Sequence, residues 1–107
     1  MKKGEIWLVD LNGGIGSEQG GVRPCLIMQG NRGCENSPAT IVCPITSKVK
    51  TFSLTHLAIE GLKLPSYILF EQVRVIDKSR CRKFLCRLDA DTMVLADEKM
   101  KLTFGCF

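Results

Sequence analysis

The sequence predicts a mainly β fold, a small and strongly bent antiparallel barrel with one helix at its C-terminal end. Short runs of β-branched and aromatic residues recur at close spacing, and turns rich in glycine, proline and asparagine separate them. After Leu88 the apolar residues instead recur at helical spacing. A chain of 107 residues has room for one core, so we expect residues 1–107 to form a single domain.

Six apolar runs predict strands, at residues 6–11, 25–28, 40–47, 54–59, 67–70 and 73–76. The first run is apolar on both alternations, which is typical of a central strand. Pro44 lies inside the third run and predicts an edge or a bulge, because proline donates no N–H to a sheet. The last two runs are expected to form one bent ribbon around Glu71 and Gln72, either at a functional sheet end or at an exposed edge. Residues 29–38 are predicted to be a turn region.

The predicted C-terminal helix begins at Ala90, with Asp89 as its N-cap, and ends at Gly105. Its core-facing stripe consists of Met93, Ala96, Met100 and Phe104. Leu95 and Leu102 lie on the opposite side, which hints at a second buried contact.

The net charge of +4 permits binding to phosphates without requiring it. One basic cluster contains Lys78, Arg80, Arg82, Lys83 and Arg87. It forms either a solvated face or a surface for nucleic acid or an acidic partner, and both interpretations stay open. No apolar run approaches the roughly 18 residues of a membrane-spanning helix. Since Glu5 and Asp10 also interrupt any signal-peptide pattern, we expect a cytoplasmic protein without membrane contact.

Six cysteines would suffice for three disulfides, but the chain has no Cys-x-x-Cys pair and several cysteines lie among apolar residues. A free cysteine behaves as a small apolar residue, and reduced thiols are the rule in the cytoplasm. We therefore predict free cysteines. The only histidine, His56, has no neighbour at metal-ligand spacing, so the sequence predicts neither a metal site nor a cofactor.

The stretch most suggestive of function is a loop followed by an Arg-Pro pair. Half of residues 12–21 are glycine, in a spacing that fits neither of the common phosphate-binding loops. Proline holds the residue before it in extended geometry, so Arg23 enters its strand with a stiff backbone. A polar loop that delivers an arginine to the rim of a barrel is what an anion or phosphodiester site requires.

Several motifs stand in order along the chain: Lys-Gly-Glu-Ile-Trp at 3–7, Gly-Ser-Glu-Gln-Gly-Gly-Val-Arg-Pro at 16–24, Pro-Ile-Thr-Ser at 44–47, Thr-His at 55–56 and the run at 66–78. This order resembles that of the MazF/PemK family of toxins from bacterial toxin–antitoxin systems. The resemblance implies an SH3-like barrel, a homodimer and a metal-independent endoribonuclease that cuts single-stranded RNA. It also implies an antitoxin that lies across the RNA groove, and contact with DNA only through that antitoxin.

By this resemblance Arg23 and Thr46 carry catalysis, in which the 2′-hydroxyl of RNA attacks the adjacent phosphorus to leave a 2′,3′-cyclic phosphate and a 5′-hydroxyl. A guanidinium suits the charge on phosphate oxygens, and a threonine hydroxyl can hold the scissile group in line. Glu71 is the candidate auxiliary base, or else it binds a base edge or positions Arg23. The expected RNA-binding residues are Ser17, Glu18, Gln19, Gly20, Ser47, Lys48, His56 and Gln72.

A purely structural role remains an alternative for three of these site residues. Arg23 could form a surface salt bridge, Thr46 could be an ordinary strand residue, and His56 could pack on a barrel face instead of contacting RNA. Two rival functions also remain: a non-catalytic poison of gyrase on the same barrel, and a plain RNA- or peptide-binding module.

Overall fold

The computed structural model of the protein describes residues 1–12, 20–48 and 53–105, except for the side chain of Cys34. These ranges contain seven strands: β1 (Glu5–Asp10), β2 (Val22–Ile27), β3 (Ala39–Thr46), β4 (His56–Ile59), β5 (Ser66–Leu69), β6 (Arg74–Asp77) and β7 (Cys81–Arg87). They also contain two α-helices, α1 (Asn31–Asn36) and α2 (Ala90–Thr103). Short 3-10 turns at Phe70–Gln72 and Lys78–Arg80 precede β6 and β7.

The strands form one antiparallel sheet in the order β4-β5-β3-β2-β1-β7, and β6 pairs with β3 beside this path. In the described part of the chain β4 and β7 are the two ends, so the sheet is open. The predicted fold class, mainly β with a C-terminal helix, is confirmed.

The strand β3 is the centre of the sheet. One of its sides pairs with β2. Its other side is shared, since residues from Ala39 to Val42 pair with β6 and the pair Ile45–Thr46 with β5. The prediction that Pro44 marks an edge is therefore wrong. Pro44 lies between the two ladders, where the missing N–H does not interrupt a run of paired residues. The predicted bend around Glu71 is confirmed, because a 3-10 turn there carries the chain from β5 to β6.

The three largest differences from the prediction concern α1, β2 and β7. The expected turn region 29–38 contains the short helix α1. The strand β2 begins at Val22, so Arg23 and Pro24 lie inside it. The basic segment forms β7, whose hydrophobic pattern is hidden by its Arg and Lys side chains. Two of these cations pair with carboxylates of β1: Arg82 pairs with Asp10 at 2.9 Å, and Arg87 pairs with Glu5 at 2.8 Å.

Each face of the sheet carries a core cluster, which agrees with the first predicted strand being apolar on both of its faces. The first core cluster includes Ile6, Leu26, Cys43, Ile45, Ile59, Ile68, Phe70 and Ala96. The second includes Val9, Leu11, Cys25, Ile27, Val42 and Ile76. Neighbouring residues such as Leu26 and Ile27 belong to different clusters because strand side chains alternate between faces.

The helix α2 is capped as predicted. The Asp89 side chain accepts the Thr92 backbone N–H at 3.1 Å, and Gly105 has a φ of +77° just beyond the end of the helix. Met93, Ala96 and Met100 pack against the first cluster. The stripe does not extend to Phe104, which lies past the last helical turn and is exposed.

The hinted second buried contact of α2 is absent from the described chain, because Leu95 and Leu102 are exposed. No helix in the described ranges is both long and apolar enough to cross a bilayer.

Four cysteines are free thiols, as predicted: Cys25, Cys43, Cys81 and Cys86. Burial raises the pKa of the Cys25 thiol to about 12 and also raises the pKa of Cys43 well above its usual range. These two thiols therefore act as small apolar core residues.

The carboxylate of Glu5 joins the N-terminal segment to β7. Burial alone would raise the pKa of Glu5, but hydrogen bonds from Trp7 Nε1, the Arg87 guanidinium and the Lys2 backbone N–H hold it at about 2. The three donor–acceptor distances are 3.0, 2.8 and 2.9 Å. Glu5 is therefore a buried anion whose charge is stabilised by folding.

Candidate functional site

A cleft of about 630 Å³ opens where the ends of β2 and β3 meet the β4–β5 turn and β7. Its cationic side chains are Arg23, Lys48, Lys63 and Lys83. Its hydroxyl side chains are Thr46, Ser47 and Ser66. The apolar part of its surface comes from Leu8, Pro24, Ile45, Leu62, Leu64 and Leu85. No carboxylate is among the described residues that line the cleft.

Arg23 is held at the rim by its strand and by the loop before it. Gly21 has a φ of +72°, a left-handed conformation that favours glycine, at the turn into β2. The Arg23 side chain then donates from Nε to the carbonyl of Gly20 at 2.8 Å. Pro24, the next residue, lies opposite Leu8 of β1. The guanidinium is thus half-buried and oriented, while this bond uses only one of its several N–H donors.

The pairing of β2 with β3 brings Thr46 to Arg23. In this pairing Cys25 lies opposite Pro44 and Leu26 lies opposite Cys43. Continuing the register by two residues sets Arg23 opposite Thr46, and both side chains line the cleft. Two residues that are distant in sequence are therefore brought together by strand register.

Thr46 is the last residue of β3, and its side chain is almost fully buried. Its Oγ1 accepts the backbone N–H of Lys48 at 3.1 Å, which fixes the turn that follows the strand. Accepting this bond leaves the hydroxyl hydrogen available to a ligand. Ser47 and Lys48 are exposed in that turn and also line the cleft.

Glu71 and His56 lie elsewhere. Glu71 is in the 3-10 turn after β5, where its Oε1 contacts His56 Nε2 at 2.6 Å and its Oε2 accepts from Thr55 Oγ1 at 3.1 Å. A carboxylate only accepts, so the hydrogen of this pair belongs to His56 Nε2. The other ring nitrogen, Nδ1, is buried and has no hydrogen-bond partner in the described part of the chain. This network ties the turn to the start of β4.

The predicted site residues thus fall into three groups. Those that line the cleft are Arg23, Thr46, Ser47 and Lys48. Those absent from its lining are Gly20, His56, Glu71 and Gln72, of which Gly20 still contacts Arg23 through its carbonyl. Those outside the described residues are Ser17, Glu18 and Gln19. Glu71 and Gln72 instead border a second depression of about 220 Å³.

The sequence analysis missed Lys63 and Lys83 as cleft residues. Lys83 was expected only as one member of a basic cluster, because β7 was not predicted. Recognising β7 as the partner of β1 would have placed Lys83 opposite Leu8, on the strand pair that borders the cleft. Lys63 lies in the turn between β4 and β5 and gives no signal in the sequence.

The cleft is suited to binding an anion. Arg23 presents a planar cation that matches non-bridging phosphate oxygens, and Thr46 supplies a hydroxyl donor beside it. The carboxylates of β1 are engaged by Arg82 and Arg87 and do not line the cleft. Within residues 1–12, 20–48 and 53–105, no three His, Cys, Asp or Glu side chains are grouped as metal ligands would be.

The protein is thus a small β protein, an open antiparallel sheet with a C-terminal helix and a cationic cleft at its rim. Residues 2–104 match the family model described as "PemK-like, MazF-like toxin of type II toxin-antitoxin system". The chain therefore belongs to this toxin family. A curated relative, endoribonuclease EndoA of Bacillus subtilis strain 168, is 39% identical over 110 residues, which cover 98% of this chain and 95% of EndoA.

Solved structures share the fold. MazF of Deinococcus radiodurans (Form-I) superposes with a TM-score of 0.85 at 23% identity, covering 98% of this chain and 96% of that one. A mycobacterial endoribonuclease in complex with its cognate antitoxin gives a TM-score of 0.82 at 19% identity, covering 98% and 95% of the two chains. At these identities the likeness concerns the fold alone.

Proposed function

We propose that this protein is the toxin of a type II toxin–antitoxin system and acts as an mRNA interferase, an endoribonuclease that cleaves single-stranded RNA without a metal ion. The observation that carries the proposal is the convergence of Arg23 and Thr46 in one cationic cleft. Family membership and the 39% identity to EndoA support the same conclusion.

The proposed reaction uses the RNA's own nucleophile. The 2′-hydroxyl loses its proton as its oxygen attacks the adjacent phosphorus, the bond from phosphorus to the 5′-oxygen breaks, and the leaving 5′-oxygen takes up a proton. The products therefore carry a 2′,3′-cyclic phosphate and a 5′-hydroxyl. Arg23 stabilises the charge that grows on the non-bridging oxygens of the phosphorane. Thr46 donates its hydroxyl to a phosphate oxygen and holds the phosphorus in line with the attacking oxygen.

Arg23 is assigned to charge stabilisation, not to proton transfer. The pKa of an arginine side chain exceeds about 12, so a neutral guanidine is too scarce to serve as a base near neutral pH. Glu71 was the candidate for an auxiliary base. Both oxygens of Glu71 are engaged by His56 and Thr55, and Glu71 does not line the cleft. We therefore propose that Glu71 contacts a base edge of the RNA or positions Arg23.

The proposed partners follow from the same cleft. Single-stranded RNA binds along it, with Glu18, Gln19 and Gln72 as candidates for contacting base edges and Lys48 for a backbone phosphate. A cognate antitoxin covers the groove, a homodimer forms, and DNA is reached only through the antitoxin. The mycobacterial structure in complex with its cognate antitoxin supports such a partner. An mRNA substrate places the activity in the cytoplasm.

The decisive experiment incubates the purified protein with a long single-stranded RNA in excess EDTA and maps the new ends by primer extension. We expect cuts at discrete positions and 5′-hydroxyl ends. RNA that stays intact with active preparations of EndoA as positive control would refute the nuclease proposal. Inhibition of gyrase by the same preparation would favour the poison instead.

A further inference from the structure

The lining of the cleft includes more than Arg23 and Thr46. Two of its other residues, Lys63 and Lys83, each carry a positive charge. Resting on the function proposed above, we infer that Lys63 and Lys83 form a second phosphate site for the RNA substrate. This site holds a backbone phosphate that neighbours the scissile one, and the intervening nucleoside lies over the leucines of the cleft. Lys63 and Lys83 are positioning residues in this assignment and take no part in bond breaking.

Lys83 is aimed into the cleft by its place in β7. It lies opposite Leu8, which in turn lies opposite Pro24, so a row of three residues runs across β7, β1 and β2. All three line the cleft. The flanking residues are engaged elsewhere: Arg82 bonds Asp10, and the Phe84 ring meets Trp7 edge to face at 6.0 Å.

The backbone of β7 is irregular around Lys83. The pairing of β1 with β7 shifts register between Ile6 and Trp7 and again between Leu8 and Val9. The two shifts bracket the residues paired with Lys83 and Phe84. Such irregularities re-aim side chains and are common beside active sites. Strand residues two positions apart share a face, so Lys83 and Leu85 both line the cleft.

Lys63 lines the same cleft from a different element. It lies in the turn between β4 and β5, between Leu62 and Leu64. Leu62 packs against the first core cluster and anchors the turn, whereas Leu64 is 60% exposed at the cleft. Lys63 is therefore held on a turn with an apolar anchor and is not on a free tail.

Among the described residues, no carboxylate neutralises either ammonium group. In the described part of the chain Lys63 and Lys83 have no carboxylate within ion-pair distance, although four other cationic side chains of the chain do pair with carboxylates. Two cations beside an apolar wall focus a positive potential on the space between them. An anion bound there would be attracted from both sides.

The observations favour RNA over an acidic peptide as the occupant. The lysines share one cleft with Arg23 and Thr46, so a chain of phosphates that reaches the catalytic pair continues toward them. The volume of about 630 Å³ exceeds what one phosphate fills. The leucines of the cleft also offer an apolar surface on which a sugar or base can pack. A polyacidic peptide has no apolar group to place there.

The test measures binding and cleavage by Lys63→Met, Lys83→Met and the double variant, in which the apolar stem is kept and the charge is removed. Lys101→Met, an exposed residue of α2, removes the same charge away from the cleft and is the matched control. The probe is a single-stranded RNA that spans a cut site mapped with the wild-type protein and carries a 2′-deoxynucleotide at that site to prevent cleavage. Its dissociation constant is measured by fluorescence anisotropy over a range of salt concentrations.

We expect each cleft variant to weaken binding several-fold and to reduce the salt slope of log Kd by about 0.7 per lost phosphate contact. The cleavage rate at saturating RNA should stay near the wild-type rate, with the loss confined to KM. A probe with a neutral methylphosphonate beside the scissile position should weaken binding to wild type but not to the double variant. The Lys101→Met variant should match wild type in every measurement.

The phosphate site would be overturned if both lysine variants kept the wild-type salt slope of log Kd. It would also be overturned if the methylphosphonate weakened binding to the double variant as it does to wild type. A loss confined to binding of an oligoglutamate peptide would overturn it too, since this result would assign the lysines to an acidic partner. These failures are distinct from failure of the proposed function, because that function fails only if wild type leaves the original RNA uncut. Unchanged melting temperatures establish that the variants are folded.

Discussion

Arg23 and Thr46 each lie two residues beyond the Cys25–Pro44 pair that ends the antiparallel ladder of β2 and β3, and both line the same cleft. Each side chain is carried by a strand of the sheet. Arg23 is further fixed by the carbonyl of Gly20, and Thr46 is fixed by the N–H of Lys48. A sheet that pairs in this register therefore preorganises the two groups before any ligand arrives.

Replacement of Arg23 by alanine should abolish RNA cleavage with little effect on stability. The guanidinium is half-buried at the rim, outside both core clusters, so its loss leaves no core cavity. Loss of one preorganised group that stabilises transition-state charge costs on the order of 10²–10³ in rate. Single-turnover cleavage and thermal melting measure the two effects. A drop in melting temperature of many degrees would show that Arg23 is structural.

Arg23→Lys is a second and sharper variant. Lysine keeps the positive charge but lacks the planar fork that contacts two phosphate oxygens. We therefore expect most of the rate to be lost with this variant as well. A fully active lysine variant would reduce the role of Arg23 to that of a simple point charge.

Thr46→Val should lower the cleavage rate and should also destabilise the turn after β3. Valine has nearly the same shape, but it removes the hydroxyl that accepts the Lys48 N–H at 3.1 Å. The lost hydrogen bond costs about 1 kcal/mol of the free energy of unfolding. Thr46→Ser keeps the hydroxyl and is the control. Equal cleavage by the valine and serine variants would exclude a role for the hydroxyl.

Glu71→Gln should retain most of the cleavage rate. The amide oxygen can still accept from His56, and the amide N–H₂ can donate to Thr55, so the network of the turn persists. A loss greater than about 100-fold, together with loss of the acidic limb of the pH–rate profile, would restore Glu71 to the role of general base. The measurement is the pH dependence of single-turnover cleavage.

Glu5 makes the stability of the fold pH-dependent. Its pKa is lowered to about 2 in the folded chain, below the value of 4.5 for an unperturbed glutamate. A lowered pKa stabilises the folded state above pH 4.5, and this contribution is lost as the pH falls toward 2. Glu5→Gln should therefore reduce the free energy of unfolding at neutral pH by about 2 kcal/mol.

Urea unfolding at several pH values measures this effect. The difference between wild type and Glu5→Gln should shrink below pH 4.5 and become small only as the pH reaches about 2. Glu98→Gln, at an exposed position of α2, should show no such difference. A difference that is constant over the whole pH range would mean that the charge of Glu5 does not contribute.

The sequence alone was sufficient to predict most of the fold. Apolar runs located β1 and β3, and the Asp89 cap with Gly105 located the ends of α2. The sequence did not predict β7, because residues such as Arg82 and Lys83 conceal the strand pattern, and Arg82 finds its carboxylate partner only on β1. Local composition does not reveal a partner that is distant in sequence.

The sequence likewise predicted one part of the candidate site and not the other. Arg23 and Thr46 lie in recognisable motifs, and their meeting follows from the register of two predicted strands. Lys63 and Lys83 lie in no motif and reach the cleft through a turn and an irregular edge strand, which only the tertiary structure determines. Glu71 shares a motif with the site but is turned toward His56.

The central claim, that Arg23 and Thr46 act on one phosphorus, is tested most directly by a double-mutant cycle. Single-turnover cleavage in EDTA is measured for wild type, Arg23→Ala, Thr46→Val and the double variant. Groups that stabilise the same transition state as a unit have strongly non-additive effects. We predict that the double variant loses little more activity than the poorer single variant. Losses that multiply, as expected for two independent sites, would contradict the account.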